Sequence, residues 1–271
     1  VYKAVSEQLK LGVTLSLPSL LEYEVAELIG ELVPSAEKIR FAKTGSDATA
    51  GAIRLARAFT KRDHVFLGGY HGWQDWYIGS TTMHLGVPES VQQLSHPFVM
   101  NDVESFEKLL AKFKDDVAAV ILEPISYVSP TKEFLAYLRK RTFEHGIVLI
   151  FDETVTGFRI APGGAQEFLG ITPDLTTFGK GIANGFPLSV LCGRADIMNL
   201  MDRIFFSGTF GGELLSLAAA KVVLTKVRDE GVTDSLASNG ERLNSAVSDV
   251  IQKLNFKGLK LSGHPSWQFL V

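Results

Sequence analysis

Two residues invite a chemical reading first. Lys180 stands between Gly179 and Gly181, and Asp152 closes the apolar run 147–151. Flanking glycines remove side-chain bulk and let a backbone approach a ligand closely. An amine in such a place can capture a carbonyl carbon if burial lowers its ordinary pKa of about 10.4 and frees the lone pair. A carboxylate at a strand end can hold a proton on a ring nitrogen, or it can cap a helix or pair with a cation. Taken alone, each residue also admits the plainer interpretation, since most lysines are solvated. In open α/β sheets, however, ligands bind beyond the carboxyl ends of strands, so these two can reach one site.

A third element completes a recognisable set. Gly45, Ser46 and Asp47 precede an alanine-rich segment with helical character. A helix N-terminus offers unpaired N–H groups and the positive end of a dipole, which suit a phosphate, and Ser46 adds a hydroxyl. An ordinary N-cap is the structural alternative. Amine, carboxylate and anion cradle together are what pyridoxal 5′-phosphate (PLP) chemistry needs. The lysine holds the aldehyde as a Schiff base, the carboxylate keeps the pyridine nitrogen protonated, and the helix end holds the phosphate.

The elements that position these residues alternate along the chain. Helical spacing predicts helices over 20–32, 47–59, 104–113, 132–145, 214–228 and 232–253. Short, continuously apolar runs predict strands at 38–42, 64–67, 118–122, 147–151, 175–178 and 188–192. Such runs suit strands covered on both faces, hence an α/β fold with a mostly parallel sheet between helix layers. The division expected is a large domain over 1–255 and the start of a small α/β domain over 256–271, with both ends cut from a longer chain.

Composition excludes several classes. The 271 residues are 46% apolar and 21% charged, with net charge −3, so no basic excess suggests nucleic acid or an anionic membrane. No apolar stretch is long enough to span a bilayer. Cys192 is the only cysteine, which rules out an internal disulfide and fits a cytoplasmic protein. No His/Cys/Asp/Glu spacing suggests a metal site, and no dinucleotide fingerprint follows the first strand.

Six stretches, in order, carry a family resemblance: FAKTGSDA at 41–48, GGYHGW at 68–73, VILEP at 120–124, LIFDETVTGFR at 149–159, PDLTTFGKG at 173–181 and SGTF at 207–210. The chain resembles the class III, or ornithine/ω-type, aminotransferases of PLP fold type I. Within them it is most similar to the glutamate-1-semialdehyde aminomutase group. The resemblance implies that Lys180 is the Schiff-base lysine and Asp152 the partner of the pyridine nitrogen. Gly45 and Ser46 would cradle the phosphate, Tyr70 would stack on the ring, and Glu123 would lie near the ring's phenolic oxygen or the substrate amine. His71, Thr154 and Val155 would complete the surroundings of the cofactor. Gly208 and Thr209 would reach the phosphate of a partner subunit, which implies a homodimer with shared sites. Thr154 stands where a valine is usual, Val155 where a glutamine is common, and Asp47 where a glutamate is commoner.

The activity this implies is transfer of an amino group from an amine or amino acid to a carbonyl acceptor. Loop 73–88 lacks much of the glycine-rich loop of the aminomutases, which argues against a strict intramolecular amine shift. That shift stands as the alternative, beside related racemases and decarboxylases and, in another class, a non-catalytic scaffold subunit. Three side chains stay open to two uses. His71 is a proton shuttle or, preferably, a loop anchor; Trp73 and Trp76 line a pocket or an interface. Arg159 pairs with a carboxylate, preferably one of the protein.

Overall fold

The computed structural model describes residues 1–256 and 258–271; Lys257, within the expected small domain, lies outside them. The chain opens with α1 (Tyr2–Leu11) and α2 (Leu20–Leu32). The first turn of α2 is closed by a reciprocal cap, in which Ser19 Oγ accepts from the Glu22 N–H and the Glu22 carboxylate accepts from the Ser19 N–H. β1 (Lys38–Ala42), α3 (Gly45–Thr60) and β2 (His64–Gly68) follow. Two short helices, α4 (Asp75–Ile78) and α5 (Glu89–Gln92), lead to the three-residue β3 (Ser95–Pro97). Next come α6 (Val103–Phe113), β4 (Val117–Leu122), α7 (Lys132–Glu144) and β5 (Val148–Glu153). After the short α8 (Ala165–Leu169), β6 (Leu175–Phe178) runs into a 3₁₀ turn (Lys180–Ala183) and β7 (Ser189–Gly193). The short α9 (Ala195–Met198), long α10 (Leu214–Asp229) and α11 (Val232–Lys253), and the hairpin β8 (Leu261–His264) with β9 (Trp267–Leu270) complete the chain.

Seven strands form one sheet in the order β1-β7-β6-β5-β4-β2-β3. Only β7 runs against its neighbours, so the sheet is mostly parallel, as expected. Alternate residues of each strand serve opposite layers. Val65, Ile121, Ile150 and Leu191 face α3. Phe66, Val120, Leu149 and Phe151 face α6 and α7, while Phe178, Val190 and Cys192 face α2 and α10. Cys192 is wholly buried, which pushes its thiol pKa up and leaves it an inert core side chain. The apolar positions of α11 depart from expectation. Leu243, Val250 and Leu254 are more than half exposed, because few elements pack on that helix. The β8–β9 hairpin is separate from the main sheet and meets the rest of the chain at several points: Trp267 packs on Ile125, Ile160 and Ala165, Phe269 sets its ring edge-on to Tyr127, and the Gln268 amide donates to the Gly240 carbonyl.

The edge formed by β2 and β3 carries a titratable pair. His64 Nδ1 and His96 Nε2 lie 2.8 Å apart, Asp116 Oδ2 is 3.6 Å from His64 Nε2, and the Phe113 ring stacks on His96 at 4.1 Å. Burial, helped by nearby His64 and Lys112, pushes the His96 pKa down from 6.5 to about 4. Above pH 6.5 the ring is neutral whether folded or not. Below it the unfolded chain binds a proton that the folded ring refuses until the pH nears 4, so this contribution to stability is lost across that window. Melting temperatures should therefore fall between about pH 6.5 and 4 more gently in His96→Phe than in the parent. Parallel curves for the two proteins would refute the assignment.

Candidate active site

Five strand ends converge on one edge of the sheet. β5 delivers Asp152, and β6 ends at Phe178, just before Gly179 and Lys180. β1 leads into the start of α3, β2 into the turn 69–72, and β4 into Glu123. Between them lies a cavity of about 640 Å³. It brings together Lys180, Asp152, Gly45, Ser46, Tyr70, His71, Glu123, Thr154 and Val155, nine of the ten residues expected from the sequence. Thr209 is elsewhere. It lines a neighbouring hollow with Phe41, Gly51 and Phe206.

Asp152 is 5% exposed and fully engaged. Its Oδ2 lies 2.9 Å from His71 Nδ1, and its Oδ1 accepts from the Thr154 N–H and the Thr177 hydroxyl, each at 3.1 Å. Burial alone would raise the carboxyl's pKa, but the hydrogen bond and charge of His71, with the bond from the Thr154 N–H, outweigh it and hold the group below its ordinary value. An ionised carboxylate only accepts, so His71 Nδ1 carries the hydrogen. The His71 ring is wholly buried, stacks on Trp76 at 6.4 Å, and leaves Nε2 without a partner among the described residues. His71 thus orients and charges Asp152, a third role beside the two left open by the sequence. Of the two tryptophans, Trp76 is the packed one, while Trp73 is 67% exposed.

The start of α3 leaves helix N–H groups open toward the cavity. The helix begins two residues earlier than its alanine pattern suggests, and its cap is Thr44. Thr44 Oγ1 accepts from the Asp47 N–H, and the Asp47 carboxylate accepts from the Thr44 N–H. Gly45 and Ser46 therefore occupy the first two helical positions, and their N–H groups bond nothing among the described residues. Thr154 fills the space between this turn and the lysine turn. A Cβ on Gly45 would come within 2.8 Å of Thr154 Cγ2, and one on Gly179 within 3.0 Å. Thr154 Oγ1 is itself buried and has no partner among the described residues. Both glycines are thus close-approach positions, and a valine-sized side chain at 154 explains why.

Lys180 opens the 3₁₀ turn with a positive φ of 40°, a left-handed conformation uncommon for a side chain of this size. The residue is exposed to the cavity, so the burial expected to free its amine is not met within this chain: the cavity mouth is open. Glu123 lies across the cavity. It accepts the Tyr70 N–H at 3.1 Å, and burial raises its pKa. Tyr70 is 60% exposed, its ring set edge-on to Tyr77 at 5.5 Å.

Two further cations border the cavity. Lys43 escaped notice in the sequence, although it follows β1 as Lys180 follows β6. Its Nζ donates to Glu213 at 2.9 Å and to the Pro187 carbonyl at 2.8 Å, tying three segments together. Arg159 corrects an expectation. No described carboxylate lies within ion-pair distance; its Nε donates to the Val155 carbonyl at 3.2 Å and its Nη1 to the Ser266 carbonyl at 3.3 Å.

A sheet with one reversed strand, a lysine turn after β6 and an aspartate at the end of β5 define the PLP fold type I transferase architecture, and solved structures bear this out. The chain belongs to the class-III aminotransferase family, whose model, "Aminotransferase class-III", matches residues 1–263. It is 39% identical over 272 residues to glutamate-1-semialdehyde 2,1-aminomutase of Archaeoglobus fulgidus, covering 93% of this chain and 64% of that protein. The corresponding values for the aminomutase of Methanosarcina acetivorans are 38% over 267 residues, 92% and 63%. The chain therefore spans less than two thirds of these relatives' length. An ω-transaminase from Sphaerobacter thermophilus superposes with a TM-score of 0.91 at 32% identity, over 99% of this chain and 67% of that one. A glutamate-1-semialdehyde aminomutase from Pseudomonas aeruginosa PAO1 superposes at 0.87 and 25%, over 100% and 65%, and a variant of it was solved in complex with PMP.

Proposed function

We propose that this chain binds PLP and moves amino groups, and that the movement is the shift between carbons of one molecule named in its curated relatives. One observation carries the PLP reading: an exposed lysine amine, an ionised buried carboxylate and two free helix N–H groups face a single cavity. They fit the three ends of the cofactor, its aldehyde, ring nitrogen and phosphate. When bound, the cofactor supplies an electron-accepting ring attached to the substrate nitrogen. Lys180 Nζ would hold the aldehyde carbon and, once displaced by an incoming amine, take the proton from the donor carbon and pass it to the carbon that had carried the aldehyde, or the reverse. Asp152, kept ionised by His71, would hold the proton on the ring nitrogen. Gly45, Ser46 and the Ser46 hydroxyl would bind the phosphate, while Tyr70 covers the ring. Thr154 and Val155 would shape the remaining wall, and Glu123 would meet the phenolic oxygen or the substrate amine.

The choice between the two amine transfers runs against the loop-based expectation. Curated relatives at 38 and 39% identity are named aminomutases. Transfer to a separate carbonyl acceptor is the second reading, favoured by the likeness to the ω-transaminase structure at 32% identity. Turnover of glutamate-1-semialdehyde without any added keto acid is the expected result. An absolute requirement for a separate acceptor would overturn the intramolecular reading and establish the other.

The same proposal takes the working unit as a homodimer, supported by the placement of Thr209 outside its own cavity. It takes residues 1–255 as the large domain and 256–271 as the opening of a small one, supported by the separate β8–β9 sheet. A cytoplasmic setting rests on the single buried cysteine; no helix among the described residues is long and apolar enough to cross a membrane.

A further inference from the structure

We infer that Thr49 is a positioning residue of this site: its hydroxyl fixes the His71 carbonyl and so holds the imidazole on Asp152. The inference rests on the PLP reading for its catalytic consequence. Its ground is how the turn 69–73 is held. That turn carries Tyr70 and His71, yet no backbone–backbone hydrogen bond among the described residues reaches it. Side chains from other elements hold it instead. The Tyr77 hydroxyl of α4 donates to the Gly69 carbonyl at 3.1 Å, and Glu123, just past β4, accepts the Tyr70 N–H at 3.1 Å. From α3, the Thr49 hydroxyl donates to the His71 carbonyl at 2.9 Å, and Ser46 Oγ accepts the Trp73 N–H at 3.4 Å.

Of these four anchors, only Thr49 bonds the residue that pairs with Asp152. It sits one turn into α3 and is buried. A helical threonine ordinarily turns its hydroxyl to a carbonyl three or four residues back. Thr49 does reach the Ser46 carbonyl, at 3.2 Å, but the His71 carbonyl is nearer. The turn is pressed onto α3 here, since a Cβ on Gly72 would collide with Ser46 Oγ. The His71 ring also packs on Trp76 at 6.4 Å and on Tyr77 at 5.4 Å. Such packing tolerates sliding, whereas the 2.9 Å bond to Asp152 weakens steeply with distance and angle. The position of the His71 backbone therefore decides how well Nδ1 meets the carboxylate. Without the Thr49 hydroxyl, the buried carbonyl loses its partner, and the turn shifts to find another. Because the same helical turn carries Gly45 and Ser46, Thr49 joins the phosphate end of the proposed cofactor site to its ring-nitrogen end.

The experiment uses the full chain, with and without PLP, and three variants. Thr49→Val keeps the shape and removes the hydroxyl, Thr49→Ser keeps the hydroxyl, and His71→Phe removes the imidazole. Without PLP, the His71 Nδ1 proton is followed by NMR as a downfield resonance, identified by its absence from His71→Phe. In Thr49→Val this proton should exchange with water roughly two- to tenfold faster than in the parent, the range set by one neutral hydrogen bond. With PLP labelled with ¹⁵N in its ring, the same variant should show a less protonated ring nitrogen and a half-reaction slowed by a similar factor. Thr49→Ser should match the parent in all three readings. An unchanged Nδ1 proton and ring nitrogen, with only a lowered melting temperature, would make Thr49 a simple staple between helix and turn and overturn the inference. Losses in Thr49→Val that Thr49→Ser shares would overturn it too. Failure of the parent to show the cofactor's absorbance band would instead refute the PLP reading, while the exchange measurement would still decide whether Thr49 holds His71.

Discussion

Lys180→Ala should lower amine transfer by about 10²- to 10⁴-fold, the range lost with a positioned general base, and should also abolish covalent attachment of the cofactor. The two losses have different origins. Proton movement fails because no other base can replace Nζ: Lys43 is tied to Glu213 and Pro187, and His71 is buried with Nδ1 committed to Asp152. Attachment fails because no other amine follows β6. The variant should still fold, since Lys180 is exposed and alanine has no long side chain to place. Rapid-mixing measurement of a single half-reaction separates chemistry from product release. Unchanged rates would remove Lys180 from the mechanism, and slow rates restored by added small amines would confirm its role as a base.

Asp152→Asn should cost roughly 10²- to 10³-fold in turnover, the size of a lost preorganised electrostatic contact. An amide is neutral, so it gives the ring nitrogen no reason to keep its proton. His71→Phe should produce part of that loss. Phenylalanine keeps the ring that stacks on Trp76 but removes the donor at 2.9 Å from Asp152, so the carboxyl's pKa should rise. The double variant should be no worse than Asp152→Asn alone, because both changes act through one carboxylate. Strictly additive losses would show that His71 works independently. Equilibrium binding of PLP to each variant tells a local effect from general destabilisation, which melting curves report separately.

Much of this arrangement was legible before any coordinates. Runs such as 147–151 and 175–178 announce covered strands because both faces need apolar side chains, and the residues just beyond them then fall at one edge. That logic places Asp152 and Lys180, whereas Glu123 comes from the family resemblance; applied to β1 and β4, the same logic also reaches Lys43 and Glu123. What escaped depends on contacts between distant segments. β3 is three residues, Ser-His-Pro, with no apolar periodicity to detect. The reversal of β7 follows from the connection over 179–188, shorter than the crossover a parallel strand needs, rather than from its own composition. The His71–Asp152 pair spans 81 positions, so no local pattern reveals it. Arg159 misled for the same reason: an arginine near acidic residues in sequence does not show which carbonyls its side chain will find. α11 has a helical apolar stripe whose burial depends on what packs against it, and the described elements leave that stripe largely open.

Where the cofactor attaches is the most direct test of the account. The PLP-loaded protein should be reduced with borohydride, digested and mapped by mass spectrometry. The stable adduct should fall on the peptide containing Lys180 and vanish in Lys180→Ala. An adduct on Lys43, the other lysine of the cavity, or no adduct on a protein that still turns over, would contradict it.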